Sequence, residues 1–153
     1  MSIDYEVIIS TCEKFSDLWD AHVLLMERNW KAHGKAYLVT DAPADRRYAG
    51  VEVVCAGADT EITQRLRFAL ERVTSKYILF TLDDYFLTEP IDQEALQRTL
   101  AVMEAEKLDY IIVSNAHTHM TLDGAYYNDI AAQKEILTRA FEAIVSGKIS
   151  RYI

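Results

Sequence analysis

Short apolar runs alternate along the chain with stretches of helical periodicity. Apolar runs of four to six residues are typical of buried strands, because they are too short for an average helix. They occupy residues 6–10, 36–40, 51–55, 77–82 and 110–113. The pattern therefore predicts five strands.

Between the runs, apolar residues recur at intervals of three and four, which predicts amphipathic helices. The first helix has Ser16 or Asp17 as its N-cap, the second has Asp59 or Thr60, and the third has Asp92. The predicted buried faces are Leu18, His22, Leu25, Met26 and Trp30; then Ile62, Leu66, Ala69, Leu70 and Val73; then Leu96, Leu100 and Met103; and, in a last helix over about 129–146, Ile136, Leu137, Ala140, Phe141 and Ile144.

Strands that alternate with helices predict an α/β fold with a mainly parallel sheet and helices on both faces. No repeat, linker or low-complexity segment interrupts the chain, so residues 1–153 are predicted to form one domain. If the strands lie in the order three, two, one, four, the connections change direction between strands one and four. Residues at the carboxyl ends of these two strands would then face one crevice.

Asp83 and Asp84 follow the fourth apolar run directly, at the predicted carboxyl end of a central strand. Ligands bind at this end of open α/β sheets. Adjacent carboxylates raise one another's pKa unless a cation or hydrogen-bond donors offset the repulsion, so a divalent ion is one interpretation. A turn or helix cap is the other, because Asp side chains bond nearby backbone groups. The dipeptide alone does not separate the two.

The charge balance argues against one class of partner. The chain has 153 residues, with 24 Asp and Glu against 16 Lys and Arg, a net charge of -8. The basic residues are scattered, whereas nucleic-acid binding requires a positive face, so nucleic acid is not an expected partner. A small nucleotide ligand stays compatible, provided that backbone N–H groups or a metal neutralise its phosphates.

Cysteine and histidine give weak metal signals. Cys12 and Cys55 lie far apart without metal-ligand spacing, which predicts buried free thiols in a reducing compartment. His117 and His119 resemble half a metal site, because residues two apart in a strand share a face. No third ligand is fixed by the sequence, so a solvated polar loop is the preferred interpretation.

Aromatic and imidazole side chains on the first helix are expected to pack rather than bind ligand. Trp19 and Trp30 fall in this helix, and large aromatic residues dominate core area. His22, on the same helix, is expected to have a structural role.

No membrane anchor is predicted. No segment approaches the ~18 apolar residues of a membrane span, and no basic region precedes the first apolar run. The expected location is cytoplasmic, and a homo-oligomer is left open.

Three segments carry a resemblance to a known family. They are residues 7–11, 37–41 and 64–86, and the last ends in the sequence Leu82-Asp83-Asp84-Tyr85-Phe86. Together they resemble the nucleotide-binding half of GT-A glycosyltransferases of the family-2 type, in which a similar apolar run ends at the Asp-rich DXD motif. The resemblance divides the domain into a nucleotide-sugar-binding core, 1–90, and a partial acceptor-side or packing region, 91–153.

The resemblance implies a Rossmann-like GT-A fold and a donor that is a nucleotide-diphosphate sugar, in particular a UDP-linked one. The sugar would pass to a carbohydrate acceptor in surface polysaccharide synthesis. Asp83 and Asp84 would hold Mg²⁺ or Mn²⁺ against the pyrophosphate, where a cation stabilises the leaving diphosphate.

Other donor contacts are implied at the ends of the first two strands and in the helix before the fourth. The implied residues are Thr11, Cys12, Glu13, Asp41 and Arg65. Asp41 would contact the base or ribose, and the turn at 11–13 would lie against the nucleotide. Arg67 is an alternative to Arg65 for approaching the phosphates.

The chain departs from the family pattern in two ways. Tyr85 stands where many members carry a further acidic residue, and the segment after residue 90 is short. In the family, the later half binds acceptor and supplies the catalytic base, for which this chain offers Asp123, Asp129, Glu135 and Glu142 without identifying one. Two functions therefore compete. One is an inverting, metal-dependent glycosyltransferase, and the other is a truncated or degenerate GT-A-like binding or assembly module without turnover.

Overall fold

Residues 2–111 are the part of the chain that the computed structural model describes, and in it strands alternate with helices except that the third strand follows the second directly. In order they are β1 (Tyr5–Ser10), α1 (Ser16–Asn29), β2 (Ala36–Thr40), β3 (Val51–Cys55), α2 (Ile62–Leu70), β4 (Tyr77–Leu82) and α3 (Gln93–Glu106), with a single 3₁₀ turn, Glu13–Phe15, before α1. The first four predicted strands are confirmed. The predicted fifth strand, 110–113, extends outside the described residues, and the last predicted helix lies wholly outside them.

The sheet has the order β3-β2-β1-β4, and its described strand pairs are all parallel. Tyr5 of β1 pairs with Tyr77 of β4, and Ser10 pairs with Leu82 on that side and with Val39 of β2 on the other. The observed order is therefore the one on which the expectation of a shared crevice depended. The connections change direction between β1 and β4, which is where open α/β sheets bind ligands.

Helices pack on both faces of the sheet. Because successive strand residues point to opposite faces, Val7 and Ile9 of β1 join the core that α1 and α3 cover, while Ile8 joins the core under α2. Every residue of β1 and β2 is buried. Burial on both faces explains why these strands are continuous apolar runs rather than alternating ones.

The buried face of α1 is confirmed in part. His22 and Met26 on the helix and Trp30 just after it are buried as predicted. Leu18 and Leu25 are only half-buried, and Trp19 and Val23 are buried as well. The helix has no side-chain N-cap, so Ser16 or Asp17 as the capping residue was wrong. The preceding 3₁₀ turn leads directly into the helix and replaces the cap.

The other two helices have side-chain caps. The N-cap of α2 is Glu61, in a reciprocal capping box with Gln64, and not Asp59 or Thr60 as predicted. Asp59 has a φ of 56°, in the left-handed region of the loop, and lies outside the cap. In α3 the predicted cap is confirmed, because Asp92 Oδ1 accepts from the backbone N–H three residues on at 2.9 Å.

A buried carboxylate ties the amino end of the sheet together. Glu6 of β1 is 5% exposed, and its Oε1 accepts from Thr74 N at 2.9 Å, Thr74 Oγ1 at 2.8 Å and Ser75 N at 3.0 Å. Burial raises the pKa of Glu6, but the hydrogen bonds from Thr74 and Ser75 outweigh it, and the net pKa lies below the ordinary value. Glu6 thus holds the segment that enters β4.

Candidate functional site at the carboxyl edge of the sheet

Several residues singled out in the sequence meet at the carboxyl edge. Since Ser10 pairs with Leu82, the next residues along the two strands, Thr11 and Asp83, are neighbours. Asp41 follows β2 at the same edge. The sheet order therefore places the first loop between two acidic strand ends.

Thr11 is the centre of a buried chain of hydrogen bonds. Its Oγ1 donates to Asp83 Oδ2 and accepts from Trp19 Nε1 at 2.7 Å. An indole N–H only donates and a carboxylate only accepts, so the chain runs from Trp19 through Thr11 to Asp83. The exposed fractions of the three residues are 1%, 3% and 7%. Burial keeps water from competing for these bonds.

His22 holds the backbone of the acidic pair. Its Nδ1 lies 3.1 Å from the carbonyl oxygen of Asp83, which can only accept, so Nδ1 carries the proton. Burial lowers the pKa of His22, and the Asp83 carbonyl and the charges of Asp83 and Asp84 oppose this without reversing it. A backbone bond of 3.2 Å from Tyr85 N to Leu82 O makes the pair the two central residues of a β-turn.

The two carboxylates of the pair are not equivalent. Asp83 is buried and its side chain is held by Thr11, whereas Asp84 is exposed. Asp83 anchors the turn, as the turn interpretation predicts, whereas the side chain of Asp84 is accessible from the solvent. From the sequence alone the two aspartates were equivalent, because the sequence does not show that Thr11 lies beside Asp83.

The described residues of this edge do not by themselves supply enough side-chain ligands for a cation. Within residues 2–111, no group of three His, Cys, Asp or Glu side chains is arranged to hold a metal ion. Mg²⁺ sites, however, commonly use one or two carboxylates, with waters and substrate phosphates completing the shell. Asp84, with Asp83 beside it, fits a cation of that kind, which binds together with a phosphorylated ligand.

Asp41 organises the first loop from the other side. Its Oδ1 accepts from the backbone N–H of Glu13 at 2.7 Å, at the start of the 3₁₀ turn. The loop after β1 is therefore held by Asp83 from β4 and by Asp41 from β2. Cys12 and Cys55 are free and half-buried, so their predicted full burial was wrong. Cys55 is the last residue of β3, and Cys12 lies in the loop after β1.

Arg65 brings a positive charge to this edge. Its Nε lies 3.5 Å from Ser10 Oγ, and its Nη1 donates to the carbonyl of Thr60. Arg67, the alternative in the sequence, is exposed on α2. Of the two, Arg65 is the one that the structure brings to the end of β1.

Sequence reasoning missed two members of the site. Trp19 and His22 were expected to pack, and they do, but each also donates a hydrogen bond into the acidic edge. The available signal was their spacing of three residues on one face of α1, combined with the need of a buried indole N–H for a partner.

The remaining predicted candidates lie outside the described residues. They are His117, His119, Asp123, Asp129, Glu135 and Glu142.

Comparisons with known proteins gave no match: no family model, no curated protein and no solved structure is significantly similar to this chain. Among the described residues, no helix is long and apolar enough to cross a membrane.

Proposed function

We propose that the protein binds a nucleotide-diphosphate sugar at the carboxyl edge of its sheet and acts as a GT-A-like glycosyltransferase, passing the sugar to a carbohydrate acceptor in surface polysaccharide synthesis. The donor class proposed is a UDP-linked sugar. Mg²⁺ or Mn²⁺ would bind with it at Asp84, beside Asp83.

One observation carries the proposal. The change of direction between β1 and β4 coincides with an exposed carboxylate, Asp84, that follows β4 directly. A ligand in this crevice would have Arg65 on the side of α2 and the loop after β1 on the side of α1. Ligand sites of open α/β sheets occur at such a position.

The charges of this edge favour a ligand that brings a cation. A diphosphate approaching Asp84 and Asp41 is repelled unless a divalent ion screens the carboxylates, and the cation would also stabilise charge on the leaving diphosphate. Arg65 supplies further positive charge. The protein's own contribution is therefore orientation: it holds the first loop and the acidic turn in fixed positions before the ligand arrives.

A second candidate function is a GT-A-like binding or assembly module without turnover. It is favoured by the hydrogen bonds that the carboxylates after β4 and β2 already accept within the protein, Asp83 from Thr11 and Asp41 from the backbone of Glu13. Carboxylates used in this way stabilise the edge whether or not a reaction takes place there.

Calorimetry on the full chain tests the proposed binding. We expect uridine diphosphate to bind in the presence of Mn²⁺ and to bind at least about tenfold more weakly with a chelator, a difference of about 1.4 kcal/mol. Asp84→Asn should remove the effect of Mn²⁺, because it removes the exposed carboxylate. Equal affinity in both conditions would contradict a cation-bridged ligand.

Asp92→Asn is a matched control. It makes the same change of charge at the N-cap of α3, where Asn caps about as well as Asp. It should leave the affinity for Mn²⁺ and uridine diphosphate unchanged. A similar loss in both variants would show that net charge, rather than the acidic turn, determines binding.

A further inference from the structure

The turn that carries the acidic pair is held at two points by residues outside it. Thr11 donates to the carboxylate of Asp83, and His22 donates to the carbonyl of Asp83. Both donors are buried, and Trp19, which completes the chain to Thr11, lies one turn before His22 on α1. The first loop and first helix thus hold the end of the fourth strand.

The bond from His22 is placed where it determines orientation. The carbonyl of Asp83 belongs to the peptide unit that joins Asp83 to Asp84, the central peptide of the turn. In β-turns this unit can take two opposite orientations, which distinguish type I from type II turns. A buried donor directed at its oxygen stabilises one orientation, and Asp84 is attached to the same peptide plane.

The bond from Thr11 has a different consequence. It anchors Oδ2 of Asp83, in a buried position, to a hydroxyl group that Trp19 orients, so the side chain of Asp83 holds the turn against the first loop. The side chain of Asp84, by contrast, is exposed.

We propose that His22 and Thr11 are positioning residues: His22 fixes the central peptide of the turn 82–85, Thr11 anchors the side chain of Asp83, and Asp84 is thereby presented to the cation and diphosphate. The ligand part of this inference rests on the proposed function, whereas the orientation of the turn does not.

Two substitutions at one position separate positioning from packing. His22→Phe keeps a planar ring in the core but removes the donor, while His22→Asn places an amide N–H close to the position of Nδ1. Loss of a group that orients a metal ligand typically lowers metal affinity about 10–100-fold. We expect His22→Phe to lower the affinity for Mn²⁺ with uridine diphosphate by at least about tenfold, and His22→Asn to recover most of it.

The role of Thr11 can be tested with a similar pair of substitutions. Thr11→Val keeps the shape of the side chain and removes the hydroxyl group, whereas Thr11→Ser keeps the hydroxyl group. Thr11→Val should weaken the binding of Mn²⁺ with uridine diphosphate, and Thr11→Ser should not. Val23→Ala is the stability control, because it creates a cavity on the buried face of α1, next to His22, without touching a polar group. It should lower stability and leave affinity unchanged.

Affinity losses in the Phe and Val variants, reversed in Asn and Ser and absent in Val23→Ala, would support the inference. Equal affinity in His22→Phe and wild type, or a failure of both conservative variants to recover binding, would overturn it.

If the wild-type chain does not bind Mn²⁺ with uridine diphosphate, the proposed function is refuted. The role of His22 in orienting the turn can then still be tested by a second measurement. Without any metal, the backbone amide resonances of Asp84 and Tyr85 should shift in His22→Phe and return in His22→Asn. Resonances that do not move in His22→Phe would overturn the positioning role itself.

Discussion

Removal of the Glu6 carboxylate is expected to destabilise the protein through the segment that enters β4. In Glu6→Ala, the backbone N–H groups of Thr74 and Ser75 lose their acceptor, 2.9 and 3.0 Å away. An unsatisfied buried donor costs about 1–3 kcal/mol. Since Thr74 is partly accessible to water, we expect a total loss of about 2–5 kcal/mol in the free energy of unfolding.

Glu6→Gln gives the more informative comparison, because the amide keeps an oxygen for the same donors. Bonds to a charged acceptor are each stronger by about 1 kcal/mol than neutral ones, but the amide also avoids the cost of burying a charge. We therefore expect a loss of about 1–2 kcal/mol at pH 7.

The pH dependence has a defined sign. The pKa of Glu6 in the folded protein lies below its ordinary value, so the stabilising effect of ionisation is fully present above the unfolded pKa and is lost as the pH falls through the folded one. The stability difference between wild type and Glu6→Gln should be largest near neutral pH and should shrink below about pH 4.5.

Urea unfolding followed by circular dichroism at pH 7 and pH 4 measures this difference. Glu52→Gln on β3 is the matched control: Glu52 is exposed and pairs with Lys35 at 3.2 Å, so it should change stability by less than about 1 kcal/mol. A Glu6→Gln protein as stable as wild type at pH 7, or a difference that grows toward acid pH, would refute the role given to Glu6.

Three further outcomes are expected. Gly34→Ala should destabilise the protein by about 1–3 kcal/mol or more in urea unfolding, because the added Cβ would lie 1.9 Å from the backbone oxygen of Tyr5; an unchanged midpoint would contradict this. In calorimetry, Arg65→Ala should weaken the binding of uridine diphosphate and Arg67→Ala should leave it unchanged, because of the two only Arg65 lies at the end of β1. Equal effects would show that the net charge of the protein, rather than the position of Arg65, is responsible. In a sugar-release assay with a UDP-sugar, the purified chain should hydrolyse the donor slowly rather than transfer its sugar rapidly to an acceptor, because a positioned base contributes about 10²–10⁴ in rate and none is identified. Rapid transfer that is abolished by Asp129→Asn would contradict this prediction.

The fold followed from the sequence because its signals are repeated along the chain. Residues 36–40, 51–55 and 77–82 form strands at the predicted positions, and the alternation with helices was sufficient to predict a parallel sheet, although not to fix its strand order. Burial on both faces makes such strands visible as uninterrupted apolar runs, so a small error at one boundary does not change the prediction.

The N-caps of α1 and α2 and the full buried face of α1 could not be predicted from the sequence in the same way. On α1, Leu18 and Trp19 are adjacent and both apolar, and the packed core contains Trp19 rather than the predicted Leu18. At α2, two predicted caps precede Glu61, and the left-handed backbone of Asp59 moves the helix start beyond them. Such choices depend on three-dimensional contacts.

The candidate site was predicted as a location but not as a division of roles. Asp83 and Asp84 have the same chemistry in the sequence, and only the pairing of β1 with β4 shows that one of them meets Thr11. The roles of Trp19 and His22 depend on the same pairing. The glycosyltransferase resemblance and its donor remain predictions.

The position of β4 beside β1 has a consequence for synthesis of the protein on the ribosome. Tyr5 and Tyr77 are partners in the sheet, although they lie far apart in the sequence. While the chain emerges, β1 can pair with β2 early, but its other edge stays open until residues 77–82 have left the exit tunnel. Long-range pairing of this kind slows folding, and an apolar strand edge exposed in the meantime invites association with other chains. We therefore expect the nascent protein to depend on chaperones until β4 is available.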